Sequence, residues 1–329
     1  MKHLKIFSTD DLKIYTSPRK GEIKFGELIG TVNSLETLKE STAKYVIFGI
    51  PEDIGVRANL GKSGTKNAFN TFLNAFLNIQ VNQFNTPENV LLLGEIDCKN
   101  WLIKASHIED NDPNISAKLH DILIEIDAEV SQLVKTIISL GKIPIIIGGG
   151  HNNAYGNIKG ASEAISNPIN VINIDAHTDL RTTNYRHSGN GFSYAQEQGY
   201  LNFYHIFGLH KNYTPDYIFK SMNASKFIDY TLFDDILSDT IAIQSYKEAL
   251  NQISKSAFGL EIDCDAISGF PSSAQTPSGM SLETIRQCIA ESITHNTCHY
   301  LHICEAKPSE YYPTGKAISY MVSDFIRQQ

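Results

Sequence analysis

Residues 171–179 read VINIDAHTD. An apolar run gives way within one residue to Asp175, His177 and Asp179 at every second position. Side chains of an extended chain alternate faces with period two. The three can therefore share a direction if the chain stays extended past the end of a buried strand. Three polar groups facing one way at a buried edge are costly unless something compensates them. A divalent cation does so; a metal-free carboxylate–histidine hydrogen-bond network is the alternative.

Outward from this stretch, similar apolar runs recur at 44–50, 89–94, 143–149, 204–209, 226–233, 258–263 and 299–304. Helical patterns lie between many of them, the clearest at 114–141, 239–255 and 281–296. The first ends in Gly141, suited to a C-cap, and the third opens on Ser281. Strand and helix alternating in this way predict an α/β fold with a mainly parallel sheet of about eight strands, covered on both faces. No repeat or linker divides the chain, so a single domain over residues 1–329 is expected, with roughly residues 1–40 as an N-terminal extension packed on it.

Composition narrows the function. The chain has 329 residues, 42% hydrophobic, with a formal net charge of −8. A nucleic-acid binder is expected to carry a basic face, and no basic run is present. No stretch approaches the roughly 18–20 apolar residues of a membrane span, and the N-terminal residues lack the apolar core of a signal peptide. A cytoplasmic protein without nucleic-acid or membrane partners is expected. Five cysteines, odd in number and without a CxxC pair, argue against a disulfide framework or a zinc–thiolate site.

In parallel sheets ligands bind beyond the carboxyl ends of the strands. Two further strand ends carry ligand-type residues. IPIIIGGGHNN (143–153) runs through three glycines into His151; its spacing is not the GxGxxG of a dinucleotide loop. FGLEIDCDA (258–266) repeats the i, i+2 geometry with Asp263 and Asp265, while Glu261 lies further back in the strand. Four carboxylates and two imidazoles suit two divalent ions better than one. An oxygen and nitrogen set without thiolate favours Mn²⁺, with Fe²⁺, Co²⁺, Ni²⁺ or Zn²⁺ as competitors. Two ions about 3.5–4 Å apart can share a water and lower its pKa, so hydrolysis is the expected chemistry.

GGGHN, DAHTD and EIDCDA, in this order, resemble the three metal motifs of the ureohydrolase family, which includes arginases, agmatinases and formimidoylglutamases. The resemblance runs from about GIPEDIGVRANLGKSG (49–64) to ICEAKPS (303–309). It implies a three-layer α/β/α arginase-like fold and two manganese ions held by His151, Asp175, His177, Asp179, Asp263 and Asp265, with Asp179 and Asp263 bridging. It also implies that Glu305 accepts hydrogen bonds from the substrate's amidinium or guanidinium, and that the protein is a trimer or hexamer. GGGHN is nearer the formimidoylglutamase form than the GGDHS usual in arginases and agmatinases. The proton-relay histidine that follows the SGN segment in arginases is replaced by Gly191 and Phe192. Ser268 and Gly269 stand where Asp-Pro is common, which leaves the local substrate loop open.

N-formimidoyl-L-glutamate, the substrate this points to, carries two carboxylates at its tail. Arginine grips a carboxylate bidentately. Arg57 and Asn59 in GVRAN, Arg181 in TDLR, and Arg186, His187, Ser188 and Asn190 in YRHSGN are the candidate tail-binding residues. An arginine-rich mouth disfavours agmatine, whose tail is cationic. By the resemblance, a metal-bridging hydroxide attacks the amidine carbon, Asp179 accepts its proton and Glu305 holds the amidinium. Ammonia is released, with formamide or a formyl product and glutamate. His187 and His210 are candidate proton donors by loop position. The alternatives are an arginase, agmatinase, guanidinobutyrase or other guanidine hydrolase releasing urea, a catalytically silent regulatory relative, and, further off, a one-zinc deacetylase on a related fold.

Overall fold

The computed structural model describes residues 1–327. In chain order its strands are β1 (Leu4–Ile6), β2 (Tyr45–Gly49), β3 (Val90–Ile96), β4 (Ile143–Ile147), β5 (Ile169–Ile174), β6 (Leu201–Leu209), β7 (Ile228–Leu232), β8 (Phe258–Asp263) and β9 (Cys298–Cys304). They form one sheet in the order β1-β3-β2-β4-β9-β8-β5-β6-β7. All pairings are parallel except β1 on β3. Each of the eight apolar runs forms a strand. The ninth, β1, is the addition: three half-exposed residues at the sheet edge, too short to carry a periodic signal.

Strand residues alternate between two apolar cores, one on each face. Ile145 and Ile147 belong to one and Ile146 to the other. Helices cover both, giving the three-layer α/β/α arrangement. The longest, Ile115–Ser139, buries Leu119, Leu123, Ile126, Val130, Leu133, Val134 and Ile137 along one stripe. It stops before Gly141, whose φ of +72° suits the left-handed end of a helix. The helix Leu282–Ile293 is capped by Ser281, whose Oγ accepts from the Thr284 amide at 3.0 Å. Each fully buried aliphatic side chain contributes about 1.5–3 kcal/mol. No helix among the described residues is long and apolar enough to cross a membrane. The five cysteines are buried and free.

The centre of the sheet positions the chemistry. β4, β9, β8 and β5 are consecutive neighbours. Ile147, Ile303, Ile262 and Ile174 sit in one row across them. The next residue along gives Asp263 beside Cys304 on the neighbouring strand, and Asp175 at the end of β5. His151 and Glu305 follow just beyond β4 and β9.

Candidate metal centre

After β4 the chain turns through Gly148 and Gly149, at φ +90° and +77°. A Cβ on Gly149 would stand 2.4 Å from Asn153 Nδ2 and 2.9 Å from Glu52 Oε1. Only glycine fits there. The buried Glu52 carboxylate moulds the turn: it accepts from the Gly150 amide at 3.0 Å, Asn153 Nδ2 at 2.7 Å and the Ile54 amide at 2.6 Å. This delivers His151 to the strand ends, where its amide donates to Glu305 Oε1 at 2.7 Å.

His151 Nδ1 lies 3.2 Å from Asp175 Oδ2, 2.9 Å from Asp179 Oδ2 and 3.1 Å from Asp263 Oδ2. None of these contacts is aligned as a hydrogen bond. Ligand atoms of the four residues lie within 4.8 Å of one another. Close approach of a nitrogen and three oxygens without hydrogen-bond geometry is what a shared cation would produce. Beside them, His177 Nδ1 lies 3.5 Å from Asp175 Oδ1 and 3.8 Å from Asp265 Oδ2.

Two neighbouring clusters result. His151, Asp179 and Asp263 form one; His177 and Asp265 form the other; Asp175 presents one oxygen to each imidazole. Of the pair expected to bridge, Asp179 and Asp263 both lie near His151, while Asp175 faces both imidazoles.

Electrostatics point the same way. Burial drives the Asp263 carboxyl well up, and Asp265 and Asp175 add to it. Burial, and then Asp175, also raise Asp179 against the opposing imidazole of His151. Burial opposes the charge on Asp175, yet His151 and His177 hold it below the ordinary range. Burial likewise opposes a charged His177, but Asp175 and Asp265 carry its imidazole to about 10. Crowded buried carboxylates with two imidazoles are short of positive charge, and divalent cations at these donors supply it. The residues fit such ions.

A cavity of about 240 Å³ opens onto the cluster. Asp179, Asp263, Asp265, His177 and Glu305 line it, with Asn59, Arg181 and Ser188 on its wall. Glu305 Oε2 is buried and has no protein partner. Burial first, and then Asp265, push its carboxyl up to about 8. Asn59 Nδ2 donates to Ser188 Oγ at 3.2 Å. The Arg181 guanidinium makes no hydrogen bond among the described residues, while its amide donates to Gly189 O at 3.0 Å. Leu60, Asp179 and Glu305, three of the four non-glycine residues at positive φ among the described residues, line this cavity.

Four expected tail-binding residues, Arg57, Asn190, His187 and Arg186, are not brought to the cavity. Arg57 donates from Nε to Asp110 at 2.5 Å, from Nη1 to Ala105 O at 3.0 Å and from Nη2 to Ile108 O at 2.6 Å. Its guanidinium anchors a turn. We expect Arg57→Ala to cost about 1–3 kcal/mol of stability, read from the denaturant midpoint, with no selective change in KM. Asn190 is buried; its Oδ1 accepts from Arg186 Nη1 and the His187 amide, and its Nδ2 donates to the carbonyls of Thr182 and Tyr185. His187 Nδ1 accepts from the Gly189 amide at 3.1 Å. Burial, then Arg181 and Arg186, lower its pKa to about 4. His187 is therefore neither a cation nor a ready acid near neutral pH.

Arg186 is also withdrawn. It is fully buried, paired at 2.8 and 3.0 Å with Asp127, and packed over the Tyr155 and Tyr194 rings. His210 stacks between Tyr213 and Phe233 outside the cavity lining, and burial lowers its pKa.

The sequence reading missed Tyr213, Ser273 and Ala274. Tyr213 lines the cavity and stacks on the His177 ring at 5.2 Å; its place just after a strand end was the available signal. The loop with the unusual Ser268-Gly269 closes onto the site, with the Ala274 amide donating to Asp265 Oδ1 and the Ser273 amide to Glu305 O.

The Arginase family model matches residues 43–327. A formimidoylglutamase of Geobacillus kaustophilus is 27% identical over 294 residues, covering 85% of this chain and 81% of that one. One from Macrococcus caseolyticus is 27% identical, covering 82% and 79%. Among solved structures, the formimidoylglutamase of Bacillus subtilis superposes with a TM-score of 0.74 at 18% identity, over 94% of this chain and 93% of that one. The Trypanosoma cruzi formiminoglutamase with Mn²⁺₂ gives 0.73 at 19% identity, over 93% and 98%.

Proposed function

Because the chain belongs to the arginase family, we propose that it is a binuclear metal hydrolase that cuts a C–N bond of N-formimidoyl-L-glutamate. The convergence of Asp175, Asp179 and Asp263 on His151 Nδ1, under a cavity walled by Glu305, carries the reading. The substrate rests on the relatives named above and on Arg181 at the cavity wall. Two divalent ions, Mn²⁺ by the same similarity, would be held among His151, Asp175, His177, Asp179, Asp263 and Asp265. A homo-oligomer, trimeric or hexameric, in the cytoplasm belongs to the same proposal.

When bound, divalent ions supply a water of lowered pKa and a positive field for developing charge. The chain's residues do the rest. Glu305 Oε2 accepts hydrogen bonds from the amidinium, while Oε1 stays fixed by the His151 amide. Asp179 takes the proton of the attacking water as general base. The tetrahedral carbon then carries one oxygen and two nitrogens. Breaking the bond to the amino-acid nitrogen yields formamide and glutamate; breaking the other yields ammonia and N-formylglutamate. One cut cannot release both ammonia and formamide, so the pairing drawn from sequence is corrected. The cut that frees urea from a guanidine expels the substituted nitrogen, and the same cut here gives formamide. Protonated Asp179, at the cavity, can return its proton to that nitrogen.

Loss of Arg57, His187 and Asn190 from the wall leaves one unpaired arginine there. That favours a second reading, a guanidine with a single carboxylate, such as 4-guanidinobutyrate or arginine. After Mn²⁺ loading, formamide, ammonia and urea are assayed separately. Formamide from N-formimidoylglutamate supports the first reading, urea from a guanidine supports the second, and no turnover of any amidine or guanidine would leave the silent relative. We further expect Arg181→Ala to raise KM for N-formimidoylglutamate by about 10–100-fold, the worth of a charged hydrogen-bond pair, with a smaller change in kcat. An equal rise for a formimidoyl amine without carboxylates removes Arg181 from tail binding.

A further inference from the structure

Behind the ligand row lies a second polar row that the proposed reaction does not use. Gly259, Glu261 and Asp263 point to one face of β8, and Tyr300, His302 and Cys304 to the same face of β9. Glu261 pairs in register with His302 and Gly259 with Tyr300. Glu261 and His302 are fully buried. Tyr300 Oη donates to Glu261 Oε1 at 2.8 Å, and His302 Nδ1 donates to Oε2 at 2.5 Å. A Cβ on Gly259 would stand 2.1 Å from the Tyr300 ring. The missing side chain on β8 is what lets that ring lie across the strand and reach Glu261.

The carboxylate so locked faces the back of the metal-site histidine. His151 Nε2 lies 3.5 Å from Glu261 Oε2, while Nδ1 faces the three aspartates. Nε2 is buried and has no aligned partner of its own. A ligating nitrogen must be free of hydrogen, so the ring's hydrogen must sit on the other nitrogen, and a fixed acceptor there decides which is which.

We propose that Glu261, held by Tyr300 and His302, is a positioning residue that keeps the hydrogen of His151 on Nε2 and turns its Nδ1 lone pair toward the ion, so that it sets the affinity of one metal subsite and not the other. This rests on the binuclear reading of the site. The buried pair of Glu261 and His302 could instead only glue β8 to β9, and a merely structural role would not distinguish two ions.

The test is Mn²⁺ binding to the full chain by equilibrium dialysis, with the melting temperature of the metal-free protein as control. In Glu261→Gln one Mn²⁺ equivalent should weaken by about 10–100-fold while the other keeps its wild-type affinity. Glu261→Asp keeps the charge one methylene further back and should lie between; it also serves should the glutamine variant not fold. Unchanged affinities, or equal weakening of both ions, overturn the proposal and leave the binuclear site standing. A wild-type chain that binds no Mn²⁺ overturns both.

Discussion

Replacing Asp179 by asparagine should lower kcat by about 10²–10⁴-fold, the usual worth of a general base. The fold should survive. Asp179 sits at φ +49°, and asparagine tolerates the left-handed region as well as aspartate does. Removing a buried carboxylate that burial already pushes toward neutrality also relieves the crowding around His151. Asp179 lies 2.9 Å from Nδ1 of that histidine, so the variant will also hold metal less tightly. Turnover must therefore be read at saturating Mn²⁺ with bound metal measured alongside. Near-normal kcat at full occupancy removes Asp179 from proton transfer.

Glu305→Gln should cost about 10²–10³-fold in kcat/KM. Two hydrogen bonds from a cationic amidinium to a carboxylate are worth about 3–4 kcal/mol together, and each 1.4 kcal/mol is tenfold. Glutamine keeps an oxygen for the His151 amide, which Oε1 accepts at 2.7 Å, so the turn after β4 remains supported. Its amide NH₂ then meets the substrate's own N–H groups, donor against donor. The loss should appear for every amidine or guanidine the enzyme accepts, since the head group is common to them. A loss confined to substrates with carboxylate tails would assign Glu305 to the other end of the cavity.

The two ends of the substrate were unequally legible in the sequence. The head is built from strand ends, where period two and a change from apolar to acidic residues mark the positions directly. Asp175, Asp263 and Glu305 follow strands of the same sheet, and neighbouring strands bring them together without help from distant loops. The eight strands were legible for the same reason: their apolar runs are continuous because both faces are covered. β1 was not, since three edge residues need no pattern. The tail depends on loops, and a loop arginine shows its charge in sequence but not its partner. Arg57 is satisfied by residues 48 to 53 positions away and Arg186 by Asp127, 59 positions away. Arg181 alone among the arginines considered remains at the cavity.

Asp179 and Glu305, the two carboxylates given the proton and the amidinium, both sit at positive φ, a conformation that aspartate tolerates but that costs a residue such as Glu305 about 1–2 kcal/mol. They are also acids crowded against other acids. The enzyme is thus least comfortable where it works, and natural or laboratory drift toward thermal robustness has its easiest gains at these two codons. Glycine at either would relax the chain and disperse the repulsion at once. A sturdier protein recovered from such a screen is then a suspect rather than a success until it has been shown to turn over substrate.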